Sequence, residues 1–510
     1  MGESVRTGRQ KIIKDSSHYV GSSIIGQGFG LLRAVLMPVF FSPTQLGVWN
    51  IMNLVLSYCP HAQLGLTHGL NKLIPMMKGS GKSEEEINIQ NSVFWVNVFL
   101  SLLAFIGVFL SSYFVAESYV IPLRILAAVI FFQMLYYYYF SLLRANSRFI
   151  IVSYGIFLTS VLSTVLVIAC VLIFSNPVIG GLIGSGLSVL IVLLYWMIKG
   201  AYIFPYKISL ATIKKCFFFG IPVLAIGILD SCTVSIDRMF IAINMKEAQL
   251  GYYALGIMIS GMVSLIPGSV ASVLYSTMLE NYSVNNDPKD VKSLLVGPIR
   301  VMWAIIILLI GFSIIAIPCL IHLFIPKYIP SIPIVQMLLF GSFFMSSSQV
   351  PGMFLIAVNR QRFLIMLQLT SIALVSLVDW LLIHLGYGLT GVATGTICGY
   401  LVYGLGYTSI ALYMATGKRE EVVKYIFWQT FPVVMLLLTF LILNKLFPDS
   451  RDMIHYITWA IIKIVALLTS LLLYLWIVNR DGLVIDFVKS EFGKVIVKFS
   501  KKKRLQKNEQ

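Results

Sequence analysis

The chain has 510 residues, of which 58% are hydrophobic and only 12% charged, with a net charge of +17. A water-soluble globule cannot bury that much apolar surface, so the composition excludes a soluble enzyme or binding module and requires a membrane. Period-2 alternation is absent, which excludes a β-barrel and leaves an all-α polytopic fold.

A hydrocarbon core about 30 Å thick takes roughly 20 apolar residues per helix, and runs of that length follow one another along the whole chain. They predict about fourteen transmembrane helices, beginning near Tyr19, Thr44, Asn91, Tyr119, Ile150, Pro177, Cys216, Leu250, Pro298, Pro330, Phe363, Leu389, Tyr425 and Tyr456. Lys and Arg concentrate in alternate loops, as they do on the cytoplasmic side of a membrane. One set is the N-terminal segment from Arg6 to Lys14, the loops holding Lys72 to Lys82, Arg144 and Arg148, Lys199 to Lys215, Lys289 to Arg300, Arg360 and Arg362, and Lys418 to Lys424, and the tail from Arg480. The opposite set holds only Lys246, Lys327, Lys445 and Arg451. Both termini are therefore expected in the cytoplasm. The positive excess is this bias plus the tail, so no nucleic-acid partner is expected.

In chain order, the first span has a basic start without a small-residue cleavage site close behind it, and reads as a helix and not a signal peptide. It carries Arg33 just outward of its middle. The second begins at "QLGVW" (45–49) and continues through "HAQLGLTHGLNK" (61–72), where His61, Gly65, His68 and Lys72 recur at helical spacing on one face. Such a stripe faces protein or water. Its readings are packed hydrogen bonding or proton coupling through His61 and His68. Arg124 lies near the outer end of the fourth span, whose inner end is "YYYYF" (136–140), read as an interfacial aromatic belt. The seventh holds Asp230, Asp237 and Arg238, the eleventh Asp379 and the fourteenth Lys463. A mid-span charge costs roughly 2.5–3.5 kcal/mol on insertion scales, so these groups are the candidates for a water-filled substrate cavity. Snorkelling to the outer interface is the competing reading for Arg124, Asp237, Arg238 and Lys463. The tail from Asp481 places apolar residues at helical spacing among lysines, which suits an anionic lipid surface or a topology anchor.

Three motifs occur twice. "QLGVW" returns as "QLGYY" (249–253), 204 residues on; "NSRFII" (146–151) returns as "NRQRFLI" (359–365), with Arg148 over Arg362; "GGLIGSG" (180–186) is answered by "TGVATGT" (390–396). Members of each pair lie an even number of spans apart, so the halves share one orientation, related by an axis along the membrane normal. The expected organisation is two parallel six-helix lobes, residues 1–205 and 206–416, then two C-terminal helices in 417–479 and a basic amphipathic tail in 480–510. A repeat of this kind places the site at the lobe interface, and the 204-residue offset sets Arg33 against Asp237.

No Walker A sequence, nucleophile elbow, His-Glu-x-x-His or paired-cysteine spacing occurs, and the six cysteines lack Cys-x-x-Cys spacing. The expectation is a transporter, with no catalytic residues, metal or cofactor.

Three stretches carry a resemblance: "LIHLGYGLTGVATGTICGYLV" (382–402), "FFGIPVLAIGILDSCTVSIDRMFIA" (218–242) and "GQGFGLLRAVLMPVFFSPTQLGVWNI" (26–51). They resemble the twelfth-span hairpin, the seventh-span signature and the first hairpin of the polysaccharide repeat-unit exporters. These are the O-antigen flippase type within the multidrug/oligosaccharidyl-lipid/polysaccharide superfamily. Arg33 falls where the related lipid II flippases carry a first-helix arginine, whereas Asp379 stands where the family often has Asn. The resemblance implies export of an undecaprenyl-diphosphate-linked oligosaccharide across the cytoplasmic (inner) membrane by alternating access, for surface polysaccharides such as the O-antigen of lipopolysaccharide. The mid-span charges Arg33, Arg124, Arg238, Asp237, Asp230 and Asp379 are the residues expected to form the substrate cavity. A proton or sodium ion as coupling partner, and a polysaccharide polymerase as associated protein, stay open. The alternative within the superfamily is a cation-coupled multidrug antiporter, and from outside it an uncoupled scramblase or an assembly scaffold. The topology has a direct test: reporters fused after Lys82, Lys289 or Lys418 are expected to read cytoplasmic and those after Glu117, Lys246 or Asp449 external. Two swapped readings refute it.

Overall fold

In the computed structural model, which describes residues 25–200, 205, 208–446, 458, 462, 463, 465 and 469, the apolar segments are α-helices and the described residues contain no strand. Among the described residues, ten helices are long and apolar enough to cross a membrane, eleven if a pair bent by 42° is counted as one span. Helices are what a lipid solvent permits, because each satisfies its own backbone hydrogen bonds. The predicted fourteenth span, apart from these single positions, and the basic tail lie outside the described residues.

The chain forms two compact units, Met1–Ala254 and Leu255–Gln510. The first holds α1 (Ile25–Phe40), α2 (Pro43–Ser57), a 3-10 turn (Cys59–Gln63), α3 (Leu66–Gly79), α4 (Ser83–Ser111), α5 (Glu117–Ala145), α6 (Phe149–Ile173), α7 (Pro177–Gly200), α8 (Leu210–Thr233), α9 (Ile236–Asn244) and the start of α10 (Glu247–Val263). The division falls inside α10, so α8 and α9 belong with the helices before them. The core of this unit gathers Leu70, Tyr138, Leu142 and Trp196, all essentially inaccessible. Three of the four tyrosines of "YYYYF" belong to that core and not to a lipid-facing belt. Tyr136 lies 4.6 Å from the Trp196 ring, Tyr138 donates to the Gln90 carbonyl at 2.9 Å, and Tyr139 is buried.

The second unit holds the rest of α10, then α11 (Leu265–Asn285), α12 (Lys292–Phe324), α13 (Ile332–Ser347), α14 (Gln349–Ala357), α15 (Gln361–His384), α16 (Gly388–Thr416) and α17 (Arg419–Leu446). One face of α17 is polar where it meets its neighbours. Glu421 pairs with Lys292 at 3.2 Å, the Tyr425 hydroxyl accepts from Arg300 at 3.1 Å under a cation–π contact, and the fully buried Gln429 donates to Ser347 at 2.7 Å. Lys463 donates to Asn444 near the end of α17 at 2.8 Å.

The repeated motifs have repeated conformations. Gln45 accepts from the Ser42 N–H at 2.9 Å at the start of α2, and Gln249 accepts from the Lys246 N–H at 3.3 Å at the start of α10: the same N-terminal cap, 204 residues apart. Ser147 and Asn359 both take left-handed backbone (φ 56° and 58°). The next N–H then reaches back five residues, Arg148 to Leu143 and Arg360 to Leu355. The turn thus equates Arg148 with Arg360, two residues from the sequence alignment. Glycine motifs draw the helices of a hairpin together in both units. A Cβ on Gly180 or Gly184 would strike the backbone of α6, and one on Gly391, Gly395 or Gly399 would strike side chains of Leu382, Asp379 or Val375 on α15.

This close packing sets a stability prediction. A Cβ at Gly184 would lie 2.6 Å from the Leu166 carbonyl oxygen. Gly184→Leu is therefore expected to cost about 1–3 kcal/mol by overpacking, read as a lowered thermal midpoint in detergent. Gly107, with nothing within 4 Å of its missing Cβ, should tolerate alanine with no loss.

Candidate functional site

The second apolar segment does not cross as one helix. Pro60, without an N–H, and Gly65, at φ 77°, interrupt it, and Leu64 is also left-handed at φ 52°. A break inside a span must find partners for its freed polar groups, each worth several kcal/mol if left bare in hydrocarbon. Here the 3-10 turn takes up the His61 and Leu64 N–H groups through the Tyr58 and His61 carbonyls, both at 3.0 Å, and the side chains of the break are met by the neighbouring helices. Gln63 donates to the Met134 carbonyl at 2.7 Å and accepts from Thr67 at 3.0 Å, and the Cys59 thiol reaches the Ile130 carbonyl of α5 at 3.8 Å. His61 hydrogen-bonds Ser231 of α8 at 2.8 Å, and Tyr58 hydrogen-bonds Ser235 at 2.7 Å, at the junction of α8 and α9. Beyond the break α3 lies directly on α8. A Cβ on Gly65 would come 2.8 Å from the Gly220 backbone, and Gly69 faces the Cys216 backbone with no room for one.

This packing leaves a cavity of about 710 Å³ between α3, α5 and α8. His68, Asn71, Lys72 and Pro75 line it from α3, and Tyr137, Phe140, Ser141 and Arg144 from α5. Both sets follow the three-to-four residue spacing of one helix face. Gln63 and Thr67 close its deep end, and Ser147 and Phe149 lie at the turn after α5. No Asp or Glu is among its lining residues. The Lys72 ammonium sits 4.3 Å from the Phe219 ring and the Arg144 guanidinium 5.2 Å from the Phe140 ring. Neither makes an ion pair among the described residues. A cation held only over a ring gives up about 0.5–1 kcal/mol when it turns away, less than a hydrogen bond to a charged oxygen returns, about 1.5–3 kcal/mol. Chemically, this lining can hold an anion and offer ring faces beside it.

The residues singled out by sequence are spread more widely. Of the eight, His68 alone lines the cavity, and His61 sits in the break, bonded to Ser231, with the Asp230 carboxylate within electrostatic reach. Arg33 is half-buried in α1 and meets no hydrogen-bond or ion-pair partner among the described residues. Arg124 lies between the Phe109 and Tyr113 rings and donates to Ser112 at 3.3 Å, at the α4–α5 connection. Asp237 is buried, accepting from Tyr253 at 2.6 Å and from the Arg238 N–H at 2.7 Å, while Arg238 caps the Val234 carbonyl at 2.6 Å. Asp379 is fully buried on α15 in the second unit. The sequence reading has Lys72 on the polar stripe of the second span, without a role in binding, and Arg144 only as an orientation signal. The pattern that could have found Arg144 is the face it shares with Tyr137, seven residues before it.

The model of one protein family, described as polysaccharide biosynthesis protein, matches residues 36–333. Comparison with curated protein sequences finds no match. Among solved structures, the chain is similar to the lipid II flippase MurJ in an inward closed conformation, with a TM-score of 0.67 and 16% identity, covering 91% of this chain and 99% of that one. It is also similar to an inward-facing multidrug resistance MATE family transporter of the MOP superfamily, with a TM-score of 0.62, 15% identity and coverage of 78% and 95%. A third is a MOP superfamily transporter from Pyrococcus furiosus, described by a reversed polarity of its binding pocket, with a TM-score of 0.52, 15% identity and coverage of 83% and 96%.

The break itself can be tested without any substrate. Gln63→Leu leaves the Met134 carbonyl with only Asn97 as side-chain donor, at 3.4 Å, and takes the acceptor from the buried Thr67 hydroxyl, a loss of about 1–3 kcal/mol. Thermal unfolding in detergent should show it, and Gln63→Glu, which keeps the acceptor for Thr67 but loses the donor to Met134, should recover only part. An unchanged midpoint in Gln63→Leu refutes this account of the break.

Proposed function

The chain belongs to the polysaccharide biosynthesis protein family, and from that premise we propose that it moves a lipid-linked oligosaccharide across the membrane by alternating access. The observation that carries this reading is the cavity with His68, Lys72 and Arg144 on its walls and no carboxylate. A diphosphate joined to a polyprenyl chain, undecaprenol in the finer reading, presents what these groups can hold. Arg144 would grip phosphate oxygens with its two-pronged guanidinium, Lys72 would add a point charge, and Tyr137 and Phe140 would offer ring faces to the first sugar. Arg33 on α1, which has no partner among the described residues, is a second cation for the same headgroup as it crosses. The topology reading sets the mouth of the cavity on the cytoplasmic face of the inner membrane, where such lipids are made, and delivery opposite. The surface polysaccharide served would be of the O-antigen type, and the two repeats would move as parallel lobes.

The antiporter reading has the buried Asp237 and Asp379 in its favour. Electrostatics disfavours it for this cavity. A monovalent drug cation held about 6 Å from Lys72 or Arg144 would be repelled by roughly 3 kcal/mol per charge at an effective dielectric constant near 20. Proton coupling, if the cycle uses it, has a place at His61 between Ser231 and Asp230.

Reconstitution into sealed vesicles with a lipid-linked oligosaccharide tests the proposal. Lys72→Ala with Arg144→Ala should lower the export rate at least tenfold with protein abundance unchanged, because both side chains are exposed. Arg144→Lys should recover part of it. Extrusion of a cationic dye that survives the double substitution, without any oligosaccharide export by the parent protein, would transfer the case to the antiporter.

A further inference from the structure

We propose that the joint between α4 and α5 holds the phosphate of a membrane phospholipid, with Arg124 as its ligand, at the opposite end of the span from Arg144. The site needs only that the chain spans a bilayer, whatever the cavity carries. Both arginines stand on α5, twenty residues apart, and the one proline of that helix, Pro122, precedes the interval. At 1.5 Å per residue the helix rises about 30 Å between them, which is the thickness of the hydrocarbon core. With Arg144 at one boundary, Arg124 lies at the other. Twenty residues also leave the two side chains about 200° apart around the helix axis. Arg144 lines the cavity between α3, α5 and α8, so Arg124 points away from it, to the rim beside α4. A substrate held in the cavity does not meet it.

The side chain is set for an anion. Its guanidinium lies 5.5 Å from the Phe109 ring of α4 and 5.1 Å from the Tyr113 ring just beyond, and its Nε donates to the Ser112 hydroxyl at 3.3 Å. Two rings and one bond fix the plane of the group, while its two terminal amino groups make no hydrogen bond or ion pair among the described residues. Such a pair grips phosphate oxygens two at a time. Of the carboxylates at this end, Glu117 stands seven residues earlier, about 10 Å along α5, and Glu247 accepts from Tyr119 at 2.8 Å. The surroundings select the source of the phosphate. Arg124 is exposed, and Tyr113 and Phe114 beside it are 63% and 89% exposed. Bare rings next to an arginine at a hydrocarbon boundary suit a headgroup with acyl chains below it, not a free ion in water. One guanidinium also matches the single negative charge of a phosphodiester, whereas a diphosphate carries more and finds Lys72, Arg144 and His68 in the cavity.

Native mass spectrometry of the full chain, released from detergent with phosphatidylglycerol added, reads the affinity for the first lipid bound. Arg124→Ala should weaken it at least threefold, and Arg124→Lys, a point charge without the fork, should recover only part. Phe109→Leu keeps the cation but frees its plane, and should weaken binding by a smaller factor. Lys246→Ala removes the same charge from the same end of the unit, next to the partner of Tyr119, and should leave the affinity within twofold. An affinity within twofold of the parent protein in Arg124→Ala would overturn the site. So would an equal loss in Lys246→Ala, which would mean diffuse attraction of charge. Glycerophosphoglycerol, the same headgroup without chains, should not compete at equal concentration; if it does, the site takes free phosphate esters and the lipid is wrong. If undecaprenyl diphosphate displaces phosphatidylglycerol from the protein carrying Lys72→Ala and Arg144→Ala at about a tenth of its concentration, the site belongs to the transported lipid and the proposal falls.

Discussion

A peptide group in hydrocarbon can place its hydrogen bonds only within the protein, and the break in the second span is where this chain meets that constraint most severely. The cavity of the first unit follows from how the break is resolved. Gln63 and Cys59 anchor it to α5, and His61 and Tyr58 anchor it to α8 and the α8–α9 junction. With these anchors in place, the two halves of the span run to separate neighbours. One half meets α10 through Gly47; the other meets α8 through Gly65 and Gly69 and opens the cavity. An uninterrupted helix could not answer to both.

The electrostatics of the cavity reflect the same economy. Lys72 and Arg144 lie over Phe219 and Phe140 and not against carboxylates. A buried ion pair would have to be broken before a substrate could be held, at several kcal/mol. A ring face surrenders its cation for far less. The carboxylates that the sequence drew attention to are committed elsewhere: Asp237 to Tyr253 and its own helix start, Asp379 to the glycine-lined face between α15 and α16.

Much of this was legible in the sequence, because lipid makes hydropathy and loop charge unusually direct readouts of structure. The apolar runs up to residue 446 became helices, and the three repeated motifs became repeated caps, turns and hairpin packings. What was not legible depended on three-dimensional detail that identity alone does not carry. The alignment of Arg148 with Arg362 followed matching letters, whereas the left-handed turn residues Ser147 and Asn359 set the register two residues away. The tyrosines of "YYYYF" read as a belt because their position near a helix end is visible and their burial against Trp196 is not. Arg144 was hidden by its usefulness as an orientation signal, and Lys72 was legible only as part of a polar stripe. The face each shares with aromatic or polar neighbours was present in the sequence, but only the packing of α3 on α8 turns those faces into walls.

The polar face of α17 has a consequence of a different kind. Lipid tails welcome any apolar surface, so hydrophobic contact alone gives a membrane helix little reason to prefer one rotation or one depth. Glu421, Tyr425 and Gln429 stand four residues apart and meet Lys292, Arg300 and Ser347 in turn. All three contacts exist together at a single angle and a single height, and a slip of one residue forfeits every one. The helix is indexed like a key by its teeth, so α17 can be seated precisely without the dense glycine packing of the α6–α7 and α15–α16 hairpins.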